Sequence, residues 1–190
     1  MSRRAFAVAC VLAVAFAASY TLLFWLPRWT SRATTGAAAA PSPVAPAPPG
    51  RKIKARLFYV AEDGMRLTSV ERDIAYGDNA AAQAREILAA QMAPVVEPLV
   101  SAVPPNTILR AVFITEGGEA YVDLSREAVS AHPGGTLNEL LTVYTLVNAL
   151  TVNLPAVTAV QLLVEGKELD TLSGHIDLRR PLAKNLAWVQ

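Results

Sequence analysis

Hydrophobic and polar positions alternate with period two over short runs, and twice give way to longer runs with apolar residues every three to four positions. The run "IKARLFYV", 53–60, puts Ile53, Ala55, Leu57 and Tyr59 on one side of an extended chain. "EDGM" then supplies a turn, and "RLTSVERDI", 66–74, reads as a second strand. "NAAAQAREILAAQM" follows as a helix, with Asp78 as its expected N-cap. Ala84, Ile87, Leu88 and Met92 form its stripe until Pro94 ends it. "TILRAVFIT" and "EAYVDLS" flank Gly117 and Gly118, the pattern of a hairpin whose turn needs positive φ.

A second helix is expected over roughly 135–154, burying Leu137, Leu140, Leu141, Tyr144, Val147 and Leu150 and stopped by Pro155. "VTAVQLLVEG" is nearly all apolar and β-branched, as a strand covered on at least one face would be. The stretch "ELDTLSGHIDLRRPL", 168–182, reads as a turn and a final edge strand. The order β-β-α-β-β-α-β-β predicts an α+β fold, a mixed sheet with two helices packed on one face.

Ahead of this body the pattern changes. Residues 5–26 carry no charge, and a helix of that length spans a hydrocarbon core of about 30 Å. The expectation is a transmembrane signal-anchor with residues 1–4 as a cytoplasmic flank and Tyr20, Trp25 and Trp29 at the far interface. The competing reading is a cleaved signal peptide, for which "AFA" at 15–17 offers a small-x-small site. Residues 27–52 form a Pro/Ala-rich linker of extended geometry, which leaves 53–190 as the folded domain. On either reading the body lies outside the cytoplasm, and with the anchor retained the protein is single-pass in a bacterial cell membrane.

Charge sharpens this division. The chain of 190 residues has a net charge of +1, yet its first 52 residues hold six basic groups and no acid. The body holds the remaining 11 basic groups and all 16 acidic ones. A body with net charge −5 and no interleaved basic and aromatic residues is a poor match for a phosphate backbone, so nucleic acid is excluded as a partner. Cys10 is the only cysteine, which rules out an intrachain disulfide.

The densest group of reactive side chains is Gly174, His175 and Asp177 with Arg179 and Arg180. A metal site needs three or four convergent ligands, and the other histidine, His132, lies in a separate loop. The plainer reading is structural. Gly174 permits a turn, His175 bonds a neighbouring backbone group, Ile176 and Leu178 point inward, and Asp177 and Arg179 stay in solvent. Asp123 and Ser125 in "YVDLS" are likewise expected to face outward, with Ser125 capping the turn after the strand. No base is offered locally to activate that serine, so no catalytic residue, metal or cofactor is expected. Arg179, Arg180 and the following proline guard an exposed edge or serve as a docking surface.

"AVPPNTILRAVFITEGGEAYVDLS" and "GGTLNELLTVYTLVNALTVNLPAVTAVQLLVEGKELDTLSGHIDLRRPL" together resemble the GerMN domain, the sporulation and spore germination domain. The resemblance covers nearly all of the body, from about Ile53 to Leu182. It implies an extracytoplasmic α+β module similar to the ring-building modules of envelope assemblies, with no enzymatic activity and no site residues to carry over. The family's spore germination prototype has two copies of the domain, and this chain has one. The resulting expectation is a membrane-anchored assembly module of the cell envelope, linked to sporulation or germination, that associates with itself or with an envelope protein. The alternative is a protein that binds or hydrolyses peptidoglycan through Asp123, His175 and Asp177.

Overall fold

One strand has its outer edge closed by side-chain amides rather than by a further strand, and this decides the architecture. The computed structural model describes residues 50–190, which belong to one compact unit, Pro48–Gln190. The expected cytoplasmic flank, the membrane helix at 5–26 and almost all of the linker lie outside the described residues. No described helix is long and apolar enough to cross a membrane.

Strands β1 (Lys52–Val60) and β2 (Leu67–Ala75) pair antiparallel as a two-stranded sheet. Helix α1 (Ala80–Met92) follows, and then the hairpin β3 (Leu109–Ile114) and β4 (Glu119–Leu124). A one-turn helix α2 (Glu127–Ser130) precedes the long helix α3 (Thr136–Asn153). Strand β5 (Ala159–Val164) and the two-residue strands β6 (Lys167–Glu168) and β7 (Leu182–Ala183) complete the chain. The second sheet is five-stranded and mixed. β4 lies parallel to β5, a pairing that requires a crossover and receives one from α3, while β3, β6 and β7 run antiparallel to their neighbours.

The α+β class is as the pattern predicts, but the first hairpin does not join the main sheet. The reason lies in the parity of β1. Bonds from Tyr76 N–H to the Arg51 carbonyl and from Ala61 N–H to the Arg66 carbonyl assign the odd-numbered residues of β1 to β2. Even-numbered residues therefore turn their backbone groups away. Asn153 on α3 closes Arg56 with both halves of its amide, at 2.8 and 2.7 Å. Gln91 on α1 does the same for Phe58, at 2.8 and 2.7 Å, and Val60 N–H reaches the Val100 carbonyl. Two helix amides thus take the place of a neighbouring strand.

One apolar cluster links all of this. Val112, Ala120, Val122, Leu124, Val160, Leu162 and Val164 line the buried face of the large sheet, with α1 against β3 and α3 against β5. Ala84, Ile87 and Leu88 are buried as expected. On α3 the burial goes well beyond the expected stripe, taking in Val143, Leu146 and Ala149 as well as Thr142, Thr145 and Asn148. That helix packs on β1 as well as on β5, so nearly its whole circumference is covered. Gly118 holds the hairpin turn at φ +82°, and a Cβ there would lie 2.7 Å from the Ala156 carbonyl oxygen.

Two local expectations are corrected. The N-cap of α1 is Asn79, whose Oδ1 accepts from Ala82 N–H at 2.8 Å, and not Asp78. The expected final strand within 168–182 shrinks to β6 and β7, and the segment between them is an irregular loop. Its backbone groups have another partner, described next.

Candidate functional site

Glu139, in the first turn of α3, is fully buried. Its Oε1 accepts the N–H groups of Leu172 at 2.8 Å and Ser173 at 3.0 Å. Its Oε2 accepts His175 N–H at 2.9 Å and lies 3.2 Å from His175 Nδ1. One carboxylate therefore ties down the "LSGH" loop while Leu172 and Leu178 sink into the core beside it. Burial raises the Glu139 pKa, but the backbone N–H groups of Ser173, Leu172, Ile176 and His175 outweigh it and leave the carboxyl below its ordinary 4.5. The first turn of a helix, where the N-terminal N–H groups favour negative charge, suits such an anion.

His175 is thus placed by a buried carboxylate and not by a neighbouring backbone group. Its ring remains two-fifths exposed. Gly174 adopts φ +96°, the turn conformation that the sequence predicts. Asp177 and Arg179 pair with each other in solvent, Nε and Nη2 of the arginine meeting the two carboxylate oxygens at 2.9 and 2.7 Å. That pairing holds the Asp177 carboxyl well below the usual carboxylate range. Arg180 is exposed beside them.

Asp123 and Ser125 are not outward-facing solvated groups, since both are buried. Asp123 Oδ2 takes Arg110 Nε at 3.0 Å and Oδ1 takes Gly166 N–H at 2.8 Å. Arg110 reaches across a bulge in β3, between Leu109 and Ala111, and also pairs with Glu165 at 2.9 Å. Ser125 Oγ accepts Ile108 N–H at 3.0 Å, so it secures the entry to β3 as well as the turn into α2.

Asp123, His175 and Asp177 are therefore engaged by three different partners: Arg110, Glu139 and Arg179. No hydrogen bond joins any two of them. A cleft of about 400 Å³ runs between the end of α1 and the loop before β3, walled by Met92, Pro94, Val95, Val103, Pro104 and Thr107 among others. None of the candidate residues lines it, and it presents no ionisable side chain. Among the described residues no three His, Cys, Asp or Glu side chains gather as a metal-binding set.

His132 is the second histidine held by built geometry. Gly134 N–H donates to Nδ1 at 3.0 Å, which leaves the ring proton on Nε2, 3.2 Å from Thr142 Oγ1. Burial lowers the His132 pKa from its ordinary 6.5, against the opposing pull of Glu139. The folded state therefore favours the neutral ring. Its contribution to stability is full above the unfolded value and declines as pH falls from 6.5 toward the lower folded one. Denaturant melts at about pH 8 and about pH 5 should show a loss of stability on acidification that is smaller in His132→Gln.

What these residues define is an α+β module whose reactive side chains hold loops and strand ends in place. Its fold matches solved domains of that kind. A candidate lipoprotein from Clostridium perfringens aligns with a TM-score of 0.51 and 20% identity over 70% of this chain and 88% of that one. The tandem GerMN domains of the sporulation protein GerM from Bacillus subtilis align at 0.52 and 17%, over 72% and 46% of the two chains. The first GerMN domain of that protein alone aligns at 0.50 and 20%, over 69% and 97%. No curated protein matches the chain. The model of the Germane family, described as sporulation and spore germination, matches residues 56–170, and this chain belongs to that family.

Proposed function

We propose that this protein is a non-enzymatic, membrane-anchored assembly module of the cell envelope, its domain displayed outside the cytoplasm. The observation that carries this reading is that Asp123, His175, Asp177 and Arg179 are each engaged with backbone or with another side chain. Catalysis needs a base and a nucleophile or water within mutual reach. Here the carboxylates and the histidine are dispersed among structural contacts. The uncharged 5–26 segment and the Pro-rich 27–52 linker support an anchored, tethered domain. So does the fold likeness to a candidate lipoprotein, and family membership supports a link to sporulation or germination.

Lysine-directed cross-linking of the full-length protein in intact membranes tests the assembly reading, since Lys52, Lys54, Lys167 and Lys184 are exposed. Discrete adducts of higher mass are expected. A chain recovered only as monomer, across cross-linker lengths, would count against assembly.

A further inference from the structure

Strand β7 ends at Ala183, and the residues after it are anchored at two points. Asn148 on α3 closes both backbone groups of Asn185, accepting its N–H at 3.0 Å and donating to its carbonyl at 2.8 Å. Farther along, Leu67 at the start of β2 donates to the Trp188 carbonyl at 2.7 Å and accepts Gln190 N–H at 2.9 Å, with Val189 parallel beside it. Residues 184–190 thus leave the five-stranded sheet, pass α3 at Asn148 and reach the two-stranded sheet. They form a strap between the two.

What holds the strap is mostly polar. No side chain from 179 to 190 belongs to the buried core, whose last member is Leu178. Val189 packs partly against that core, while Leu186 and Trp188 are 42% and 36% exposed. Water replaces most of what a hydrogen bond contributes, so a segment with little apolar burial opens far more readily than the domain unfolds. The chain between the anchors is itself knotted into one turn. Ala187 N–H donates to Asn185 Oδ1 and Val189 N–H to the Leu186 carbonyl, each at 3.0 Å, so displacing one anchor drags the other.

Under the strap lies the edge of β2. The bond from Tyr76 N–H to the Arg51 carbonyl assigns the even-numbered residues of this strand to β1, so its odd-numbered residues turn their backbone groups the other way. Leu67 gives its pair to the strap, and Gln83 Nε2 takes the Ala75 carbonyl at 3.1 Å. Between them stand Ser69, half-buried, and the exposed Glu71 and Asp73. The strap therefore covers the apolar end of this edge and leaves in solvent the end that two carboxylates guard.

We infer that residues 184–190 are a latch on β2. Both anchors release together while the domain stays folded, and the state of the latch sets how much of the β2 edge is presented. Hydrogen exchange of the full-length protein in detergent, resolved to single amides, tests this. The N–H groups of Leu67 and Gln190 report the second anchor, and that of Phe58, clamped by Gln91, reports global unfolding. In the wild type, protection at Leu67 and Gln190 is expected to be at least roughly tenfold below that at Phe58. Asn185→Pro deletes the N–H of the first anchor and should lower protection at Leu67 and Gln190 by a further factor of roughly ten, with Phe58 unchanged. Unaltered protection at Leu67 and Gln190 in that variant would mean that the anchors act separately, and would overturn the inference. So would equal protection at Leu67 and Phe58 in the wild type, or a loss at Phe58 in the variant matching that at Leu67, since either makes the strap part of the core.

Discussion

Replacing Glu139 with alanine should destabilise the domain by roughly 3 kcal/mol, a large share of what a domain of this size has in total. The side chain accepts three backbone N–H groups, and that of Leu172 lies among residues fully closed to solvent. A buried donor left without an acceptor costs about 1–3 kcal/mol, and bonds to a charged acceptor lie at the upper end of what hydrogen bonds contribute. Ser173 and His175 are partly open, so water can replace some of what they lose. A fall in melting temperature of roughly 10 °C should accompany the change. Hydrogen exchange should accelerate first at 172–175. Glu139→Gln is the milder variant, because its carbonyl oxygen can still serve Leu172 and Ser173 while its NH2 group faces the His175 N–H. Because the folded-state pKa of Glu139 is depressed, its stabilisation is complete above 4.5 and is lost as pH falls through the folded value. That acid-side loss should be absent from Glu139→Gln. A Glu139→Ala melt within about 0.5 kcal/mol of wild type would mean that the loop is held by something else.

Gln91→Leu should cost a similar amount, on the order of 2–5 kcal/mol, although it puts an apolar side chain of comparable size into an apolar core. Gln91 and Phe58 are both fully buried, and the amide satisfies the N–H and the C=O of Phe58 together. Leucine leaves both groups without a partner and without access to water. Gln91→Glu separates the two halves of the contact. Its carboxylate keeps an acceptor for the N–H but sets a second oxygen against the Phe58 carbonyl, which stabilises the protonated acid. Its deficit relative to wild type should therefore shrink as pH falls, and a deficit independent of pH would refute the amide-clamp account. Amide exchange at Phe58, read in both variants, locates the effect on β1.

Both residues escape a reading of the sequence for the same reason. Glu139 and Gln91 sit in helices as ordinary polar positions, and their partners lie 33 to 36 residues away along the chain. Local periodicity carries no trace of such pairings. It does reveal what depends on local spacing: the stripe of Ala84, Ile87 and Leu88, the glycine hairpin between β3 and β4, and the apolar run of β5. The single sheet expected from the element order fails because Asn153 and Gln91 close the edge of β1, a role that strand propensity does not encode. Alternation correctly puts Val122 and Leu124 inside, but it makes Asp123 a solvated residue. The bulge that swings Arg110 over that carboxylate interrupts the very period on which the inference relies. At His175 the structural role is legible and its partner is not.

The central claim is that this domain acts through the surface it presents, with its ionisable groups committed to holding that surface in shape. The most direct measurement is release of soluble fragments from purified peptidoglycan by the purified full-length protein, beside Asp123→Asn, His175→Ala and Asp177→Asn. The account predicts that all four release no more than a protein-free blank. Release by the wild type that disappears in His175→Ala would contradict it.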